Sequence, residues 1–432
     1  MKNKIFKKLK KINPLSSLAA DGLLSDIDYF IDTGSYVLNA LLSGSIFKGF
    51  PGNRIIGFAG PPSAGKTYLT ISILSNYQKM ADNNYVIYYD SEGRLTADKL
   101  IDAGITPDTY FHSPIRTLEQ FKTEFIQGLS EIKDDVGFGN VKTAKDVSDI
   151  EVEEILEDKK EEKKSLTDER DKFFFVLDSL SQLGSEKEEA DAIKGDLKAD
   201  MGSRARIIKS IFRNVTMDLN ILKYPMIVTS HTYDSFSQYE PSRIAGGSGL
   251  QYAASIIIEC LPTKDNVKTA TGREVVGTKI RCVLRKGELT KQWKQVVTKV
   301  NFSNGLDRFA GLFDVAFNLG AIKREGKKYL MPDGSKWSLV DIDEFPEKCF
   351  SEESLKKIDE YIINDFTYGK EDKMIDSVND QEKVIAETKK ETESSNKIEP
   401  GIAEDDIEDV TKILTEEFEN ETTEKWYKIR SY

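Results

Sequence analysis

A chain of 432 residues has room for two to four domains, and a core of about 150 to 250 of them could fold alone. The net charge of -12 is uneven: residues 371–432 hold 19 acids and 9 bases, residues 134–171 hold 14 and 7, and the remainder, 40 against 45, is net +5, so the overall acidity does not exclude a nucleic-acid partner. Three scattered cysteines without a C-x-x-C pair exclude a disulfide scaffold and a four-ligand zinc cluster, two histidines argue against a His-based metal site, and the cysteine pattern fits a reducing, cytoplasmic compartment.

The chain opens on MKNKIFKKLKKIN, which is basic but has no apolar stretch behind it, so it does not read as a secretory signal. No apolar run approaches the ~18 residues that span a membrane. Between Arg54 and Leu284 lie short β-branched or aromatic runs: 54–59, 85–89, 173–177, 225–229, 255–261 and 279–284. Several are apolar on consecutive residues, as in strands buried on both faces of a parallel sheet. Helical patterns at Leu69–Met80, Leu118–Ile132 and Arg204–Leu219 alternate with them, which predicts a wound α/β sheet.

Residues 134–171 break this rhythm. They are rich in Glu and Lys and poor in aromatics, which fits a solvated helix or a disordered surface loop. A small α+β unit follows over 311–368, read as a helix, a Gly-closed turn and a hairpin at Glu325-Gly326-Lys327. From 369 onward the chain reads as an acidic, mostly disordered tail, with periodicity for one short helix near Val410–Phe418.

The strongest chemical signal is GPPSAGKT, formed by Gly60, Pro61, Pro62, Ser63, Ala64, Gly65, Lys66 and Thr67. It follows an apolar strand and precedes a helical run, the context that a phosphate-binding loop requires. The glycines let backbone N–H groups turn inward toward phosphate oxygens, and the helix N-terminus adds its dipole. Lys66 would neutralise the β- and γ-phosphates, and the Thr67 hydroxyl would bind Mg²⁺.

Asp178 ends the strand 173–177, where an acid either caps the next turn or holds Mg²⁺ in this architecture. Asp90-Ser91-Glu92 ends the strand 85–89. This strand is expected beside the phosphate loop, and Glu92 is either a solvated turn carboxylate or the base that orients and deprotonates the attacking water. The strand 225–229 runs into Ser230-His231, and His231 is either structural or placed to sense a γ-phosphate.

The loop after His231 carries Tyr233, Phe236, Arg243 and the flexible Gly246-Gly247, a composition suited to stacking on single-stranded bases. Before it, Arg206, Lys209 and Arg213 recur at helical spacing with Arg204 nearby. That stripe is either a solvated face or a phosphate contact.

Taken together, these residues resemble the RecA-type DNA recombinases, most closely the UvsX branch of large tailed phages. The resemblance runs from about residue 17 to 330. Its carriers are TGSYVLNALLSG (33–44), GPPSAGKT, YYDSEGRLTADKLIDAGI (88–105), SPIRTLEQF (113–121), LDSLSQLGSEKE (177–188), 200–214, SHTY (230–233) and GGSGLQYAAS (246–255).

The resemblance implies a RecA-like P-loop ATPase core at 34–310, an oligomerisation arm at 1–33, and ATP with Mg²⁺ as cofactors. Glu92 becomes the catalytic glutamate, Asp178 the Mg²⁺-side acid and His231 the γ-phosphate sensor. The DNA loops fall on about 184–206 and 232–249. Lys286 matches a lysine that reaches the neighbouring subunit's γ-phosphate.

Implied partners are single- and double-stranded DNA, a homo-oligomeric helical filament, a single-strand binding protein and a recombination mediator, with no membrane. The implied function is homologous pairing and strand exchange in recombination, repair and replication, in the host cytoplasm if the chain is phage-encoded. A RecA-fold hexameric helicase, or an ATP-gated single-strand coat or mediator protein, shares part of this signal.

Three positions depart from the family pattern. Glu288 stands where bacterial members carry a second trans-acting cation, with Lys291 nearby. Lys99 stands where an aromatic often covers the adenine, and 134–171 has no counterpart.

Overall fold

The structure, a computed structural model, describes residues 4–135, 170–195, 202–233, 242–245, 248–269 and 272–369. A short antiparallel pair, β1 (Phe30–Ile31) and β2 (Phe50–Pro51), flanks a buried helix at Tyr36–Ser43. Then come β3 (Ile55–Ala59), β4 (Asn84–Asp90), β5 (Tyr110–Pro114), β6 (Lys172–Asp178) and β7 (Met226–Ser230). A two-residue ladder joins β8 (Thr232–Tyr233) to β9 (Arg243–Ile244). The core closes with β10 (Ile256–Thr269), β11 (Gly272–Lys286), β12 (Gln295–Asn301) and β13 (Gly305–Leu306).

Nine strands form one sheet in the order β13-β12-β11-β10-β3-β7-β6-β4-β5. The run from β10 to β5 is parallel, and β11, β12 and β13 are added antiparallel. This is the mostly parallel α/β sheet expected from the alternating runs. β3 and β7 are buried at every residue because helices cover both faces.

One face packs helix Lys66–Gln78 and helix Tyr36–Ser43 in an apolar cluster that also takes in Leu312, Ile342, Ile358 and Phe366 from the C-terminal segment. The other face packs helices Leu118–Asp135 and Ser203–Leu222 and includes Leu250 of helix Ser248–Ala253. Phe121, Phe125 and Phe175 are sealed there at 0–1 % exposure. Each such side chain contributes about 1.5–3 kcal/mol relative to exposure.

The C-terminal segment has helix Leu312–Asn318, a turn at Gly320 and a hairpin of β14 (Lys323–Glu325) and β15 (Lys328–Leu330), extended by β16 (Lys336–Trp337). Its last helix, Glu352–Phe366, is tied to the turn after Ser43. Asp359 accepts from Ser45 Oγ at 3.0 Å and from the Ile46 amide at 2.7 Å.

Several elements differ from the sequence reading. β5 escaped it because YFHSP is short, half exposed and ends in proline, as suits the sheet edge it occupies. β10 and β11 run far beyond the apolar runs 255–261 and 279–284, because antiparallel pairing continues through polar residues from Ile257↔Lys286 to Thr269↔Gly272. A helix, Glu186–Lys194, lies inside the first expected DNA loop, set by a capping box between Ser185 and Glu188.

Helix Leu118–Asp135 carries into the first two residues of the charged insertion, and β6 starts directly after its last. Residues 136–169, the acidic tail from 370 with its Val410–Phe418 periodicity, and Phe236, Gly246 and Gly247 lie outside the described residues. Among the described residues, no helix is long and apolar enough to cross a membrane.

Candidate functional site

The segment Gly60–Gly65 turns from the tip of β3 into helix Lys66–Gln78. Its glycines are required by packing. A Cβ on Gly60 would lie 2.4 Å from the Cys260 carbonyl oxygen, and one on Gly65, at φ +82°, would lie 2.3 Å from Ile280 Cδ1. Gly65 thus takes the left-handed conformation that a side chain would strain.

Lys66 is 7 % exposed and its ammonium donates to the Gly60 and Pro61 carbonyls at 2.8 and 2.9 Å. Burial lowers its pKa, opposed by the negative potential of neighbours that include Asp178 and Glu92. A cation this desolvated and this close to loop backbone suits a phosphate ligand.

Thr67 Oγ1 donates to Asp178 Oδ2 at 3.0 Å, so the expected hydroxyl and acid meet. Asp178 also accepts from the Tyr88 hydroxyl at 2.6 Å and from the Thr229 hydroxyl. Neither Tyr88 nor Thr229 stood out in sequence: Tyr88 is one of three tyrosines in 85–89, and Thr229 is the one hydroxyl in 225–229. Burial raises the Tyr88 pKa well above the usual phenol value, and the Asp178 charge adds to this, so Tyr88 stays a donor.

The strand carrying Glu92 is not beside β3. β7 and β6 stand between β3 and β4. Glu92 reaches the pocket because the chain turns sharply after β4. Asp90 Oδ1 accepts from the Glu92 and Gly93 amides, both at 2.8 Å, and Gly93 sits at φ +63°. The carboxylate then lies with Oε1 3.4 Å from His231 Nε2 and Oε2 3.4 Å from Arg94.

His231, directly after β7, has Nδ1 3.5 Å from Lys66 Nζ. His231 thus places its ring between the Lys66 ammonium and the Glu92 carboxylate. Its amide donates to Ser181 Oγ at 3.1 Å, and Gln182 Nε2 lies 3.4 Å from its Nε2.

Lys66, Thr67, Glu92, Asp178 and His231 therefore line one cavity of about 360 Å³, which Val300 and Phe302 also line. Lys286 does not line it. β11 lies two strands from β3, and the Lys286 ammonium donates to the Gln251 carbonyl at 2.8 Å. Burial lowers the Lys286 pKa, and the nearby Glu288 charge opposes this. Glu288, at the departing position, is paired with Arg54 at 2.8 and 2.9 Å. Burial pushes its carboxyl up, but the Arg54 bonds and charge outweigh that and hold it below the usual range.

On helix Ser203–Leu222, Arg206, Lys209 and Arg213 form an exposed stripe, with the Lys209 ammonium 6.0 Å from the Tyr252 ring centre. Arg204 is set apart: its guanidinium donates to the Leu180 and Ser181 carbonyls at 3.1 and 2.8 Å. Tyr233 and Arg243 are exposed partners across the β8–β9 ladder, which brackets residues 234–241. The base of this ladder is bonded to the cavity. The Ala245 amide donates to the His231 carbonyl at 2.8 Å, and Ser230 Oγ donates to the Ala245 carbonyl at 2.9 Å.

No family model matches the chain. A curated relative, the "Recombination and repair protein" of Enterobacteria phage T4, is 26 % identical over 286 residues, which cover 66 % of this chain and 63 % of that protein. "Protein RecA" of Mycoplasma mobile is 25 % identical over 327 residues, covering 74 % and 84 %. "Protein RecA" of Mycoplasmopsis pulmonis is 24 % identical over 304 residues, covering 70 % and 75 %. The chain is a homologue of the RecA-type recombinases. The RecA-like fold expected from the motifs is the fold observed, with the phosphate loop at the tip of the central β3. Gly65, Lys66, Thr67 and Asp178 of the expected phosphate site all line that one cavity.

Proposed function

We propose that the chain is a DNA-dependent ATPase that assembles as a helical filament on single-stranded DNA and exchanges that strand for its homologue in a duplex. The observation that carries this reading is the bonded path from cavity to candidate DNA loop: Lys66 and Glu92 contact His231, whose carbonyl holds Ala245 at the base of the β8–β9 ladder. Nucleotide state at the cavity can bias that loop only through a differential affinity for its two arrangements.

The roles divide as follows. Lys66 and the loop amides bind the triphosphate, and Thr67 with Asp178 would hold Mg²⁺. When bound there, the ion neutralises charge on the phosphate oxygens. The hydroxyl–carboxylate pair at 3.0 Å is a hard-oxygen donor set of the kind that ion takes. Glu92 orients and deprotonates the attacking water. His231 registers the γ-phosphate.

Arg206, Lys209 and Arg213 contact DNA phosphates, and Tyr233, Phe236 and Arg243, with Gly246 and Gly247, stack on or contact bases. Arg204 positions the Leu180–Ser181 turn beside His231. Lys286, outside its own chain's cavity, serves the neighbour's nucleotide across a head-to-tail interface that residues 1–33 reinforce. A single-strand binding protein and a recombination mediator would act on the same DNA in the cytoplasm, and in the host's if the chain is of phage origin. The segments fall into an arm (1–33), an ATPase core (34–310), a small C-terminal unit (311–368) and a tail.

The relatives reported above carry recombination names, which does not favour the helicase or coat-protein readings. Electron microscopy with ATP and single-stranded DNA tests the reading. Open helical filaments are expected, and closed hexamers that unwind duplex without pairing homologous strands would overturn it.

A further inference from the structure

We propose that His112 is a positioning residue for Glu92 and acts through Asp90. The inference rests on the reading of Glu92 as the base. Glu92 sits three strands from the phosphate loop, so its placement depends on the Ser91–Gly93 turn rather than on the strand itself. Two devices set that turn. Ser91 is locked to the next strand: its amide donates to the Asp178 carbonyl and its hydroxyl to the Ser179 carbonyl, both at 2.8 Å. The second device is the Asp90 carboxylate, 4 % exposed, whose Oδ1 accepts both the Glu92 and Gly93 amides.

The orientation of that carboxylate is fixed from its other oxygen. Asp90 Oδ2 lies 3.0 Å from His112 Nε2, which comes from the edge strand β5. An ionised carboxylate is acceptor-only, so Nε2 must carry the hydrogen and donate it. β5 pairs with β4 so that His112 is opposite Tyr88, and the two rings stack at 6.4 Å with an interplanar angle of 21°. The stacking sets the ring plane, and Nε2 then reaches two residues along β4 from Tyr88 to Asp90.

Without that donor, a buried oxygen loses a hydrogen bond, and the carboxylate gains by rotating toward other donors. Rotation would release one or both amides that define the Glu92 turn. His112 is itself 40 % exposed and does not line the cavity of Lys66 and Asp178, so its effect on hydrolysis would be indirect.

The test is steady-state ATP hydrolysis with single-stranded DNA by wild type, His112→Ala, His112→Gln and Glu92→Gln. A displacement of about 1 Å at a catalytic group can lower turnover by about a hundredfold. His112→Ala is therefore expected to lose about ten- to a hundredfold in kcat, with KM for ATP within about twofold of wild type. His112→Gln places an amide nitrogen close to where Nε2 stood and is expected to recover most of the lost kcat.

Wild-type kcat in His112→Ala, or a His112→Gln enzyme as slow as the alanine variant, overturns the proposal while Glu92→Gln remains inactive. A Glu92→Gln enzyme with wild-type kcat would instead remove the base assignment, and this proposal with it. Should His112→Ala not fold, His112→Asn against His112→Gln carries the same test. The shorter amide cannot span the distance and is expected to be slow, and equal rates for the two overturn the proposal.

Discussion

The two carboxylates that face the phosphate loop are held in opposite ways. Asp178 lies between β4, β7 and the loop helix and accepts from Tyr88, Thr229 and Thr67, each a short contact from a hydroxyl. Glu92 projects from a turn, and its nearest partners, His231 and Arg94, stand at 3.4 Å. The Asp178 corner is saturated and buried, as suits a fixed ligand. The Glu92 corner is loosely bonded, and one of its partners, His231, is joined to the base of the β8–β9 ladder. A rigid corner beside an adjustable one is what a site needs if it must both hold a nucleotide and report its state.

The largest effect should come from the adjustable corner. Glu92→Gln removes the proton acceptor and is expected to lower kcat by about 10²–10⁴-fold with little change in nucleotide affinity, read from steady-state hydrolysis and equilibrium binding. Unchanged DNA-stimulated hydrolysis would break the contrast, because Glu92 would then be a turn carboxylate only.

A smaller effect is expected for His231→Ala. Basal hydrolysis should stay within about tenfold of wild type, since positioning of the water by Glu92 remains, while stimulation by single-stranded DNA is lost. Comparing rates with and without DNA checks this, and intact stimulation would show that the coupling runs elsewhere.

The rigid corner should yield least in rate and most in stability. Thr229→Val leaves Asp178 one donor short in a buried setting, at a cost of about 1–3 kcal/mol. The melting temperature should fall by about 2–4 °C per kcal/mol, with kcat changed by no more than about fivefold. A large loss of kcat without a loss of stability would mean that this corner too is dynamic.

Much of the fold was legible because the parallel strands are apolar at consecutive positions and alternate with helical periodicity. The loop GPPSAGKT was legible as a candidate because its glycines, lysine and threonine stand at fixed spacing. What escaped lies where geometry is set by non-local pairing. β5 carries His112 yet looks like a loop, and the strand order that separates Glu92 from β3 by two neighbours has no local signature. The buried partners are Thr229, a lone hydroxyl in its run, and Tyr88, one of three tyrosines in its run, and they acquire meaning only once β4, β6 and β7 are known to be adjacent. Arg204 lies near the Arg206–Lys209–Arg213 stripe in sequence but turns inward, because its place at the start of the helix brings it to the carbonyls of Leu180 and Ser181.

The central claim is that nucleotide bound at the phosphate loop drives exchange of DNA strands. Its most direct test is a strand-exchange assay with a circular single strand and a homologous linear duplex, run with and without ATP, for wild type and Lys66→Ala. Joint molecules and exchanged product are expected only for wild type with ATP. Product from Lys66→Ala at the wild-type rate, or none from wild type with ATP, would contradict it.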